Sequence, residues 1–144
     1  MLNALFNSSS LPALEQVVGF TQARHGVLAG NIANLDTPGY LTRDLSPTEF
    51  QSRLRDALHA RDRALESGEA ASPGLTAGRR PDDPYRELSH VRDDLKSIVY
   101  HDESDVSLEK QVAEIAKNQA QHNMALTIMT HQFQLLQAAI SERA

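Results

Sequence analysis

The chain has 144 residues, 40% of them hydrophobic, and a formal net charge of −5 at pH 7. This length fits one domain of ordinary size, and a mildly acidic chain lacks the basic field that nucleic-acid binding usually requires. The absence of cysteine excludes disulfides and thiolate chemistry. The sequence contains no run of about 18 apolar residues, so no membrane span is predicted.

The first segment, residues 1–35, is predicted to be an N-terminal helix. Ser8–Ser10 and Pro12 are start signals, because serine caps a helix and proline fits its first turn. The helix is expected to end near Asn31 to Asn34. Its seam positions are separated alternately by four and three residues, which is typical of a heptad repeat. They are Leu14, Val18, Thr21, His25, Leu28, Ile32 and Leu35.

The second segment, residues 36–66, is interpreted as a turn and a middle helix. Thr37-Pro38-Gly39-Tyr40 predicts a type II turn, because proline fixes φ and glycine tolerates a positive φ. Asp36 is expected to make a local bond from its side chain to the backbone of this turn. Ser46, Pro47 and Glu49 form a helix-start signal. The helix is predicted from about Pro47 to Leu65, with a narrow apolar stripe at Phe50, Leu54, Ala57, Leu58 and Leu65.

The third segment, residues 67–104, is interpreted as an irregular region. Gly, Ser and Pro dominate from Ser67 to Pro84, which indicates a flexible linker or an exposed loop. Residues 85–100 leave two interpretations open: a short helix in "ELSHVRDDL", or a short strand in "SIVYH".

The fourth segment, residues 105–144, is predicted to be a long C-terminal helix capped by Ser107. Its alternation of three and four residues continues over more than four heptads. The predicted interface residues are Val112, Ile115, Gln119, His122, Leu126, Met129, Phe133, Leu136 and Ile140, after an initial Leu108.

The two seams match when the terminal helices are placed side by side and antiparallel. The polar members then coincide, with His25 opposite Gln119 and Thr21 opposite His122. A buried polar layer can fix the register of a helix pair. The alternative is that each of these residues simply faces solvent.

No residue from Asn118 to Ser141 is Asp, Glu, Lys or Arg, although 23% of the chain is charged. An ordinary solvated helix carries charge on its outer face. The uncharged face suits packing against other subunits or the lining of a passage, unless the shortage is accidental.

Catalytic motifs are absent from the sequence: it has no G-x-S-x-G, P-loop, G-x-G-x-x-G or H-E-x-x-H pattern. The cluster "HDESD", His101 to Asp105, precedes a helix cap, where acidic residues are favourable without a metal. We therefore expect no catalytic, cofactor or metal site, and no enzyme.

The stretch "GNIANLDTPGY", Gly30 to Tyr40, together with the C-terminal heptads, resembles the bacterial flagellar axial proteins: rod, hook and hook-associated subunits. The resemblance covers about the first 50 residues and roughly Asp105 to Ile140, including "SLEKQVAEIAKNQ". Its turn motif comprises Asn31, Asn34, Asp36, Thr37, Pro38, Gly39 and Tyr40.

The resemblance implies a mainly α fold, in which antiparallel N- and C-terminal heptad helices form a coiled-coil-like pair, with a shorter middle helix, an irregular linker and room for a short β segment. It also implies a proximal rod subunit that polymerises helically in the basal body, after type III export without a cleaved signal peptide. Implied partners are copies of itself, other rod subunits, the FliE adaptor and the FliF ring, with no nucleic acid. The alternatives are another axial subunit such as FlgC, or a cytosolic helical adaptor or chaperone.

Overall fold

The structure, a computed structural model, describes residues 9–66, 98–99 and 108–141. These ranges contain three helices: α1, Leu11–Ala33; α2, Pro47–Glu66; and α3, Leu108–Ser141. Two short strands, β1 at Arg43–Asp44 and β2 at Ile98–Val99, pair antiparallel. The prediction of a mainly α fold with paired terminal helices is confirmed, and so is the short strand in "SIVYH". Most of the predicted linker, 67–104, lies outside the described residues.

Local signals in the sequence set the helix boundaries. The Ser9 hydroxyl oxygen accepts a hydrogen bond from the Leu11 amide at 3.2 Å, and Pro12 lies in the first turn of α1. Ser46 caps α2, because its Oγ accepts from the Glu49 amide at 3.2 Å. These bonds satisfy amides that have no partner inside the helix. The predicted starts of α1 and α2 therefore agree with the structure, whereas Ser107, the predicted cap of α3, lies outside the described residues.

The helices α1 and α3 pack antiparallel along the length of α1. Asn31, near the end of α1, contacts Gln111 in the first turn of α3, whereas Leu14 near the start of α1 lies beside Ile128. At 1.5 Å per residue, the 23 residues of α1 span about 34 Å and the 34 residues of α3 about 51 Å. The last turns of α3 therefore extend beyond Leu11, where α1 begins.

The predicted seams match the observed burial only in part, since Leu14, Val18, Ile32 and Leu136 are half-buried whereas Leu35 and Leu108 are exposed. Thr21, Leu28, Ile115, His122 and Met129 lie on the inner side, as expected. At the alternate positions the buried residues are Arg24, Asn31, Gln111, Asn118 and Ala125. The predicted His25, Val112, Gln119, Leu126, Phe133 and Ile140 are exposed. Specific polar bonds and the small Ala125 rotate both helices away from their most apolar face.

A small apolar core joins α2 to α1. The rings of Phe20 and Phe50 stack with their centroids 4.1 Å apart, and Leu45 and Ala57 complete the buried cluster. Four members of the stripe predicted for α2 form its inner face, since Phe50 and Ala57 are buried and Leu54 and Leu58 pack against them; the side chain of Leu65 is outside the described part of the structure. The rest of α2 is rich in exposed charge.

Candidate functional site

The first component of the candidate site is an ion triad, centred on the buried Arg24, that links α1, β1 and α3. Arg24 donates to both carboxylate oxygens of Asp44, from Nε at 2.8 Å and from Nη2 at 2.7 Å. Nη2 also donates to Glu114 Oε2 at 2.8 Å. The Arg24 side chain is only 3% exposed, so this charge depends on its two partners for the solvation that it has lost.

The charges of the triad shift pKa values in the direction that strengthens it. The hydrogen bond to Asp44 raises the pKa of the Arg24 guanidinium, although burial opposes this. The hydrogen bond from Arg24 lowers the pKa of the Glu114 carboxyl below its ordinary value, again against the effect of burial. Both shifts favour the charged forms of Arg24 and Glu114 at neutral pH.

Asn31 is the second component, and its amide joins the end of α1 to β1. Its Nδ2 donates to the Arg43 carbonyl at 2.6 Å, and the Arg43 amide donates back to Asn31 Oδ1 at 3.1 Å. This reciprocal pair satisfies the backbone of Arg43 as a neighbouring strand would. Asn31 Nδ2 also lies 3.4 Å from Gln111 Oε1, and the Tyr40 hydroxyl donates to Asn31 Oδ1 at 3.3 Å. One buried side chain thus holds the turn, the strand and α3.

The turn between α1 and β1 has the predicted conformation. Gly39 adopts a φ of +76°, and the Tyr40 amide donates to the Thr37 carbonyl at 3.2 Å, as a type II turn requires. The local side-chain bond is made by Asn34, whose Nδ2 donates to the Gly30 carbonyl at 2.8 Å. Asp36 was expected to make such a bond, but it is exposed and has no side-chain hydrogen bond to another described residue. Asn34 lies closer to the carbonyls left open where α1 ends.

The third component is the contact between Thr21 and His122, 2.8 Å from Oγ1 to Nδ1. The Thr21 hydroxyl oxygen also lies 2.9 and 3.0 Å from the carbonyl oxygens of Val17 and Val18, and the tautomer of His122 sets which of the two residues donates in their contact. Asn118 Nδ2 donates to the Thr21 carbonyl at 2.7 Å. The other predicted pair is not brought together: His25 and Gln119 are both exposed, and Gln119 donates to Asn123 on its own helix.

We call this whole assembly the polar joint. Its members are Thr21, Arg24, Asn31, Asp44, Gln111, Glu114, Asn118 and His122. Sequence reasoning found Thr21, Asn31 and His122 but missed the others. A signal was present, since Arg24 and Asn31, and likewise Gln111 and Asn118, are polar pairs seven residues apart on the same helix face.

The polar joint consists of hydrogen bonds and ion pairs between α1, β1 and α3. Within the described residues, no group of three or more His, Asp or Glu side chains could hold a metal ion. The "HDESD" cluster lies outside those residues. None of the described helices combines the length and hydrophobicity needed to cross a membrane.

Comparison with known proteins identifies relatives along most of the chain, although no family model matches. The chain is 30% identical over 121 residues to the flagellar basal body rod protein FlgB of Escherichia coli strain K12, covering 82% of this chain and 83% of that protein. It is 28% identical over 121 residues to FlgB of Salmonella typhimurium, with the same coverage. It is 27% identical over 135 residues to FlgB of Aquifex aeolicus, covering 90% of this chain and 91% of that protein.

Proposed function

Because the chain belongs to the FlgB family of flagellar basal body rod proteins, it is a structural subunit of that rod, and we propose that it forms the proximal segment. The observation that carries this function is the identity to FlgB over more than four fifths of both chains. The relatives from Escherichia coli, Salmonella typhimurium and Aquifex aeolicus are all FlgB proteins, which favours this subunit over FlgC and over a cytosolic adaptor. Helical polymerisation of such subunits builds the shaft that transmits torque for motility.

The polar joint supports this function by fixing how the two terminal helices align. A rod under torque needs each copy to present the same surfaces, and buried bonds with one geometry exclude shifted alignments of a helix pair. The turn motif, Asn31 to Tyr40, sets the direction in which the chain leaves α1. No catalytic role is part of the proposal.

The proposal includes partners and a route. The subunit contacts other copies of itself, other rod subunits, the FliE adaptor and the FliF ring, and it reaches the basal body through the type III export apparatus without a cleaved signal peptide. Photo-crosslinking from exposed α2 positions in intact basal bodies tests the partners. Mass spectrometry of the N-terminus of the assembled subunit tests the route, and a shortened N-terminus would contradict it.

Electron microscopy of basal bodies from cells that lack this gene tests the function. We expect membrane rings without a rod, and restored rods after complementation. Normal rods and motility in the deletion strain would contradict an essential role in the rod.

A further inference from the structure

An apolar groove of about 230 Å³ lies where the three helices meet. Phe20 forms part of its floor, Phe50 and Leu54 line it from α2, and Met124 and Ile128 line it from α3. The described residues that line the groove carry no formal charge, and its polar members are the neutral Thr21, Gln51 and Gln121. Met124 is 66% exposed, so the α3 wall is open to a further partner.

The helix α3 has exposed apolar residues on both sides of the seam that packs on α1. On the groove side these are Met124, Ile128 and Leu135. On the other side, which we call the outer flank, they are Val112, Leu126, Phe133 and Ile140, each 40–53% exposed. At 100° per residue the two sets point in roughly opposite directions around the helix. In the outer flank, Leu126, Phe133 and Ile140 are spaced by seven residues, the repeat by which one helix packs along another.

We propose that the outer flank of α3 in one copy packs into the groove of a neighbouring copy. The inference deepens the proposed function, on which it rests, by naming the surfaces through which rod subunits join. The groove can receive a large apolar side chain such as Phe133, and the outer flank supplies a row of them.

A second copy is the occupant that the chemistry favours. Both contact surfaces are uncharged: the groove through its lining, and the outer flank from Leu126 to Ile140 because Asn118 to Ser141 contains no charged residue. Their association therefore desolvates no ion, whereas a charged partner helix would have to give up its hydration. The outer flank also carries the exposed amides of Gln119 and Gln137, which can pair with Gln51 and Gln121 at the groove. The groove is continuous with the interface between α1 and α3, which Thr21 and Ala125 share.

The positions of the two surfaces explain polymerisation. Because they lie on opposite sides of α3, a copy whose groove is filled still presents its outer flank to the next copy. Contacts between two different surfaces propagate into helical filaments unless they close into a ring. One repeated contact of this kind suffices to extend a rod.

Cysteine crosslinking tests the contact directly, since the native chain has no cysteine. Rods would be assembled in cells that co-express Gln51→Cys subunits with Gln119→Cys or Gln137→Cys subunits, and treated with a short bis-maleimide. We expect crosslinked dimers with at least one of the two outer-flank positions. The matched control is Ser52→Cys, next along α2 and exposed, which should give at least tenfold less dimer. Equal yields from Gln51→Cys and Ser52→Cys would overturn the proposal.

Charge substitution gives a second, independent readout. Leu126→Glu and Phe133→Glu alter exposed residues, so we expect folded subunits whose incorporation into rods falls at least tenfold. Thr127→Glu, on an exposed face between the two surfaces, should assemble normally. If all three variants assemble equally, the proposed contact is wrong while the rod function stands; normal rods in the deletion strain would instead contradict the function itself.

Discussion

The interface between α1 and α3 has two halves of opposite character. Near the turn it is polar, with Arg24 and Asn31 facing Glu114 and Gln111. Near the start of α1 it is apolar: Leu14 and Val17 of α1 lie around the groove with Ala125 and Ile128 of α3, and Phe20 packs there on Phe50 of α2. Apolar contact tolerates sliding because it is non-directional, whereas each bond of the polar joint exists in one alignment only. The difference indicates that the apolar half supplies stability and the polar half supplies register.

The largest expected effect is on the apolar half. Phe20→Ala removes a ring that is 3% exposed and stacked on Phe50, so we expect a loss of about 3 kcal/mol in the free energy of unfolding. Urea denaturation followed by circular dichroism measures it. The half-buried Val18→Ala should lose far less, and similar losses for both variants would contradict the importance of this cluster.

The next effect is on the polar half. Arg24→Met leaves the Asp44 carboxylate, 15% exposed, without its partner, and we expect a loss of about 2–3 kcal/mol. The control is Arg53→Met, whose pair with Glu49 is exposed and should contribute less than about 1 kcal/mol. Replacing Asp44 as well, in Arg24→Met/Asp44→Leu, should recover part of the loss. No recovery would mean that the unpaired carboxylate is not its cause.

The turn should show a smaller effect, of backbone origin. Gly39→Val places a β-branched residue at a φ of +76° with open space around its Cβ, so we expect a loss of about 1–2 kcal/mol and reduced motility. Gly26→Ala, in the helix interior and equally unhindered, should instead stabilise by about 0.5–1 kcal/mol. Thermal unfolding and soft-agar swimming measure both, and full motility of Gly39→Val would refute the need for a positive φ.

The smallest expected effect is on the stability of the protein at acidic pH. Arg24 lowers the pKa of Glu114 below 4.5, so the stabilisation from this pair is present above pH 4.5 and is lost as pH falls through the lowered pKa. Glu114→Gln should therefore be less stable than the native chain at pH 6, with the difference shrinking below pH 4. A difference that is constant from pH 6 to pH 3 would contradict the pairing.

The sequence predicts those features that depend on neighbouring residues. It does not predict which residues of a helix are buried, because that depends on the packing of the partner helix. Ser46, Pro47 and the Pro38-Gly39 pair act within a few residues of their own position, so the starts of the helices and the turn are predictable. The exact residues that face the partner helix are not predictable, because Arg24 and Asn118 are of types usually found on the surface. Their bonds to Asp44 and Thr21 become evident only in the folded structure. Apolar periodicity therefore identified the outer flank of α3, a surface that the single chain leaves exposed.

The most direct test of the central claim is a distance between spin labels placed at Ala29→Cys and Ala116→Cys, both exposed and on opposite helices. In the native background we predict one narrow distance distribution. In Asn31→Leu/Asn118→Leu, we predict a second population at a different distance, because a slip of one heptad moves the helices about 10 Å along their axes, while Phe20→Ala keeps the native distance. An unchanged single distance in the Asn31→Leu/Asn118→Leu variant would contradict the claim that the polar joint sets the register.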